Sequence, residues 1–177
     1  MPRSDYIRRA KPRVEVLRGW DPNEPSTFMQ TARVKSGVTV LSGQVVSLKW
    51  DATDSVYEWY LGADSTGAAA GKVPYIAIQD DQDEDVLECG KLTGLSCAGE
   101  FEIETAYFTD DTYAVDVPLS YDGQSGDVTP AANGEDIIGW ATRNNGRKSL
   151  DKINSNVPAG SEVISFQTAW QAVALLP

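Results

Sequence analysis

Glu102 and Glu104 are the residues of this chain whose type and spacing come closest to catalysis. They stand two apart in the stretch GEFEIETAYF, residues 99–108. Side chains two apart on a strand share a face at roughly 7 Å, which falls within the range a two-carboxylate glycoside hydrolase needs across its cleft. The competing reading is an acidic outer face of an antiparallel sheet, where carboxylates are ordinary. The rest of the chain favours that second reading, because it offers these acids no catalytic partner. There is no histidine, so neither a nucleophilic triad nor an imidazole base can be assembled. Two cysteines without histidine cannot complete the usual four-ligand zinc site. Cys89 and Cys97 could close a disulfide across a hairpin, but two buried free thiols fit better a chain with no sign of export.

Other candidate motifs fail on spacing. The run AAAGK at 68–72 lacks the upstream glycine and following hydroxyl of a phosphate-binding loop. The acidic run DDQDED at 80–85 lacks the glycine and distal glutamate of a calcium loop, and reads as a solvated acidic loop. Five tryptophans (Trp20, Trp50, Trp59, Trp140 and Trp170) could stack on sugar rings, although packing in cores and interfaces is the commoner use. The sequence therefore predicts a protein that is not an enzyme and needs no cofactor or metal.

Charge is distributed unevenly. Up to residue 18, Arg3, Arg8, Arg9, Lys11, Arg13 and Arg18 face only Asp5 and Glu15, a net of +4; the remainder carries 9 basic and 24 acidic residues, a net of −15. An acidic body argues against nucleic acid, whose phosphates need clustered Lys and Arg. No apolar run approaches the roughly 20 residues that span a bilayer. The N-terminal stretch has no apolar region of the secretory kind, which predicts synthesis and retention in the cytoplasm of the producing cell.

The positioning elements read as short strands. Residues 1–33 are interrupted by Pro2, Pro12, Pro22 and Pro25 and read as an extended N-terminal arm. Arg8, Arg9, Arg13, Val14, Val16, Leu17, Trp20 and Phe28 are its candidate contact residues, since a purely solvating tail rarely carries so many large apolar groups. Residues 34–177 form the β-rich domain. Strands are expected at Val38–Leu41 and Gln44–Trp50, joined as a hairpin by Ser42-Gly43, then at Tyr57–Leu61 and Pro74–Gln79. Val86–Cys89 and Leu92–Ser96 read as one bent strand, followed by 101–108 with Phe101, Ile103 and Tyr107 inward and Glu102 and Glu104 outward. Tyr113–Leu119 and Ile137–Thr142 follow, the latter with Gly139 marking a bulge or a close backbone approach. The segment from Glu162 begins as a strand. Eight to ten short strands predict an all-β fold, a compact sandwich or barrel-like domain with an extended arm.

The order VTVLSGQVVSLK, PYIAIQD, GKLTGLSCAGEFEIETAYF, AVDVPLSYD, GDVTPAANGEDIIGWATR resembles the capsid decoration (cement) proteins of tailed bacteriophages, over roughly residues 34–145. In that family a Thr-Gly turn precedes the EIET-like strand, a proline-leucine strand follows, and a closing hairpin ends with the Ile-Ile-Gly strand. The resemblance implies a structural virion protein on the outer capsid surface that stabilises the head, with the major capsid protein and further copies of itself as partners, trimers before dimers. It also implies that the arm reaches onto the major capsid protein. A chain lacking residues 1–33 should then fold yet fail to decorate. A carbohydrate-binding or adhesin-like β-sandwich is the alternative reading, motivated by the tryptophans and acidic loops.

Overall fold

Val45 and Val46 are adjacent in sequence and fully buried, and they belong to two different cores. Successive strand residues point to opposite faces, so a strand buried on both faces must lie between two packed layers. The fold follows from that arrangement. The computed structural model describes residues 14–18, 28–62, 73–109, 111, 113–143, 147–148 and 162–171. In chain order the elements are β1 (Val14–Arg18), β2 (Met29–Val34), β3 (Val45–Asp51), β4 (Val56–Leu61), β5 (Tyr75–Ala77), α1 (Glu84–Cys89) and β6 (Leu92–Ser96). There follow β7 (Glu102–Thr105), β8 (Pro118–Tyr121), β9 (Val128–Pro130), β10 (Ile137–Ala141), β11 (Arg147–Lys148) and β12 (Glu162–Gln171).

The strands form two units. β2-β4-β3-β5-β6 close into a barrel, with β2 and β4 parallel and the other pairs antiparallel. The second unit is a seven-stranded antiparallel sheet in the order β1-β7-β12-β10-β8-β9, with β11 paired to β12. The all-β expectation holds.

The barrel interior holds Ala32, Val46, Trp59, Ala77 and Leu92, joined by Val40 and by Val86 from α1. Trp59 fills most of it. Its indole Nε1–H donates to the Leu92 carbonyl at 2.8 Å, and its ring meets Tyr75 edge-on at 5.1 Å. Gly94 makes room for that ring, since a Cβ there would lie 3.0 Å from it. Thr93-Gly94 is therefore part of β6, and the Thr-Gly turn implied by the family resemblance does not form here.

The second core lies between barrel and sheet. Val45, Ile76 and Leu95 face it from the barrel; Ile103, Leu119, Ile138 and Phe166 are among those that face it from the sheet. Polar links cross the same boundary: Thr105 Oγ1 donates to the Gly43 carbonyl at 3.0 Å, and the Val45 N–H donates to the Gly126 carbonyl at 2.7 Å.

Gly139 shows both features expected of it. The β10–β12 register slips between Ile137 and Gly139, and a Cβ at Gly139 would sit 2.3 Å from the Gln167 carbonyl oxygen.

Four local expectations are corrected. Val38–Leu41 is not a strand, because side chains and a loop take its backbone groups: Val40 N–H donates to Asp81 Oδ2, and Leu41 N–H donates to Gln44 Oε1 at 2.8 Å. Glu84–Cys89 is a short helix rather than part of a bent strand. Glu84 and Asp85 suit its N-terminal dipole, and Gly90 ends it at φ 68°. Within 113–119 only Pro118 and Leu119 are strand, since Asp116 at φ 66° turns the chain just before them. Finally, β9 and β10 are not a hairpin; each pairs with β8, on opposite edges.

The β8–β9 connection depends on Asp122. Its Oδ1 accepts the N–H groups of Gln124 at 2.9 Å and Ser125 at 2.7 Å, and those bonds hold the carboxyl below its ordinary value of 3.8. A lowered folded-state pKa contributes stability that is present above the unfolded value and lost as pH falls through the folded one. Asp122→Ala should therefore lower stability near neutral pH by a few tenths to about 1 kcal/mol, a figure discounted for solvent exposure. The difference from the parent should vanish at about pH 2. Urea midpoints of both proteins at the two pH values check this; a constant difference would refute it.

Candidate binding surface

Glu102 and Glu104 do not form an exposed acidic face. They are 6% and 2% exposed. β7 is a central strand, so Glu104 stands opposite Glu15 of β1 and Ser165 of β12, and Glu102 opposite Arg18 and Gln167. Ser165 Oγ donates to Glu104 Oε2 at 3.1 Å; Thr142 Oγ1 lies 3.4 Å and Arg143 Nη2 3.9 Å from Glu102 Oε1. Both carboxylates are committed to hydroxyl and cationic neighbours and shut from solvent, so neither is presented to a substrate. Phe101 and Ile103 are core residues, as expected.

The expected arm residues are divided by the structure. Arg8, Arg9, Arg13 and Trp20 lie outside the described residues. Val14, Val16 and Leu17 lie in β1, whose backbone pairs with β7 of the same chain: Val14 with Thr105, and Val16 with Ile103. The register slips between Val16 and Arg18, at Leu17. Phe28 precedes β2, is 42% exposed, and meets Phe101 edge-on at 5.7 Å. The boundary drawn at residue 33 falls inside β2.

Sequence reasoning did not assemble the tip of the β3–β4 hairpin. Here Arg33 Nε meets Glu58 Oε1 at 2.8 Å, while its Nη2 meets Asp54 Oδ2 at 2.5 Å and Asp51 Oδ2 at 3.8 Å. These residues, with Val34, Lys35 and Ser36, line an open cleft of about 340 Å³. The bond to Asp54 raises the Arg33 pKa, while the Thr53 N–H lowers that of Asp51. An arginine held by three carboxylates is not a receptor for a further anion. Beside it, Lys35 Nζ and Lys49 Nζ lie 4.3 and 5.2 Å from the centre of the Tyr60 ring.

The hairpin tip also carries aromatic surface. Trp50 and Tyr57 are a cross-strand pair with ring centres 5.0 Å apart, edge to face. They are 48% and 55% exposed. Trp59 is core, Trp140 and Trp170 are half-buried, and Trp20 lies outside the described residues. The signal for the exposed pair was the alternation in VSLKW and VYEWY, which becomes legible as a pair once the turn at 52–55 sets the register.

Both cysteines are free thiols, Cys97 buried and Cys89 exposed. Burial pushes the Cys97 thiol far above its ordinary pKa. Among the described residues no group of three or more His, Cys, Asp or Glu side chains is placed to hold a metal ion, and no helix is long and apolar enough to cross a membrane.

No protein-family model matches the chain, and no curated protein matches it. Among solved structures, the chain is similar to the N base of head fiber gp8.5 of bacteriophage phi29. The identity is 14%, the match covers 80% of this chain and 92% of that one, and the TM-score is 0.46.

Proposed function

We propose that the chain is a structural protein of a phage virion that binds the outer surface of the capsid and stabilises the shell. Its basic N-terminal segment, with Arg8, Arg9 and Arg13, latches onto the major capsid protein. The chain would then act in the same setting, a phage head, as the head-fiber base to which it is similar.

The observation that carries this reading is the separation of charge along the chain, with β1 at the joint. The first 18 residues carry +4 and the rest −15, and β1 ties the end of the basic stretch to β7 of the acidic body. A tether fixed at one end raises the local concentration of the other end at a neighbouring surface, so a weak basic contact becomes effective when the body is already docked. Many copies on a lattice stabilise the assembled state by mass action, since they bind the shell and not its separated subunits. The family resemblance across residues 34–145 supports the same setting, and self-association into trimers belongs to the proposal. Such a protein requires no catalytic site.

Binding to undecorated shells tests the reading. The full chain should co-sediment with them and raise the temperature at which they rupture, whereas a chain lacking residues 1–13 should lose most of that binding. The loss should resemble what added salt does to the full chain. Equal binding by both chains removes the latch from the proposal. Shells whose heat resistance is the same with and without the protein overturn the stabilising role.

A further inference from the structure

We infer that the tip of the β3–β4 hairpin is a binding platform for a neutral polysaccharide, with Trp50 and Tyr57 as its stacking surface. This goes beyond shell binding and does not depend on it.

The platform arises from the way the hairpin outruns the barrel. β3 pairs with β5 only at Val45 and Val46, and β4 pairs with β2 only at Glu58 and Trp59. Beyond those points the two strands continue as a ribbon to the turn at 52–55. Alternation puts Val46, Leu48 and Trp50 on one face of β3, and Trp59 and Tyr57 on the matching face of β4. Val46 and Trp59 are in the barrel core; Trp50 and Tyr57 continue the same row past its mouth into solvent.

The size of the surface selects the ligand. Each such side chain offers about 150–250 Å² when fully buried, so at half exposure the pair presents roughly 200 Å². A stable protein interface takes about 800 Å² from each partner. Interface cores are also depleted of charged residues, whereas here Lys49, Asp51 and Glu58 are the immediate chain neighbours of the rings. Two aromatic faces amid hydrogen-bonding side chains match one or two sugar rings. The C–H face of a pyranose settles on the electron-rich ring face, and its hydroxyls reach carboxylates and ammonium groups. Asp51, Asp54 and Glu58 crowd the hairpin, and the whole chain carries −11, which disfavours an acidic polysaccharide.

The test is titration of the full chain with maltohexaose, cellohexaose and chitohexaose, followed by tryptophan fluorescence and by the indole N–H signals in proton–nitrogen NMR spectra. At least one of the three should bind and shift one exposed indole. Trp50→Ala and Tyr57→Ala should each weaken that binding about tenfold, equivalent to about 1.4 kcal/mol. Leu87→Ala, at an exposed site on α1, should leave it unchanged. Circular dichroism and the other indole signals report whether each variant keeps its fold, and Trp50→Phe, which retains a ring, should keep part of the affinity. The inference is overturned if none of the three sugars binds, if binding survives Trp50→Ala, or if heparin binds through Trp50 more tightly than any neutral sugar. Loss of shell binding by Trp50→Ala without any sugar binding would assign the pair to a protein contact and also overturn it.

Discussion

Trp59→Ala should remove about 3–5 kcal/mol of stability, the range for deleting a large aromatic from a packed core. That is a large share of the 5–15 kcal/mol by which a domain is ordinarily stable. The side chain is fully buried and occupies the barrel interior with Val46, Ala77 and Leu92. Gly94 lies against the ring and has no side chain that could move into the vacated space, so the barrel cannot readily collapse on the cavity. The substitution also deletes the donor to the Leu92 carbonyl. Trp59→Phe separates the two losses, because it keeps much of the volume and removes only the N–H; its cost should lie near 1–3 kcal/mol. Urea unfolding of the three proteins provides the comparison. A Trp59→Ala midpoint within error of the parent would mean that Trp59 does not fill the barrel. Equal losses for Ala and Phe would assign the effect to the hydrogen bond rather than to packing.

Trp59 also illustrates what could be read from the chain and what could not. The alternation of VYEWYL and VVSLKWD identifies strands, and both form. The glycine within IIGWA signals a bulge, which is a local property of backbone and neighbour. Fully buried Val45 and Val46 side by side announce a strand covered on both faces. Which layer covers each face is decided by strands far along the chain, and nothing local records it. The same limit explains Glu102 and Glu104. Alternation establishes that they share a face, and acids on a face ordinarily mean solvent. Their burial comes instead from β1 and β12, and their hydrogen-bond partners Thr142 and Ser165 are 40 and 61 residues away in sequence. The stretch VEVLR has the composition of a strand, but flanking prolines made it read as arm. Its partner β7 lies nearly 90 residues later. For the exposed aromatic pair, the residue types were visible but not the register that joins them.

The stretch read as an arm therefore leads to the largest expected effect, loss of folding on removal of residues 1–33. The sequence alone suggested that such a chain would fold and merely fail to bind. The structure predicts otherwise, because the deletion takes all of β1 and every residue of β2 except Val34. β2 closes the barrel: it pairs with β6 from Met29 to Ala32 and with β4 at Arg33 and Val34. Without it the core loses Ala32, and the edges of β4 and β6 open to solvent as templates for aggregation. Arg33 goes as well, leaving Glu58, 5% exposed, beside Asp51 and Asp54 without the cation that joins them. Removing one partner of a buried ion pair typically costs about 3–5 kcal/mol by itself. Loss of β1 strips one edge of β7 in addition. These losses together exceed what a domain of this size can absorb. The shortened chain should be insoluble, or show no cooperative thermal transition by circular dichroism. A chain lacking only residues 1–13 keeps every strand and should melt cooperatively, close to the parent. If the 1–33 deletion yields a soluble protein with the parent's β signal and a cooperative melt, the closure of the barrel by β2 is wrong. If it fails as expected, loss of shell binding by that chain says nothing about a latch, and only the 1–13 deletion can assign one.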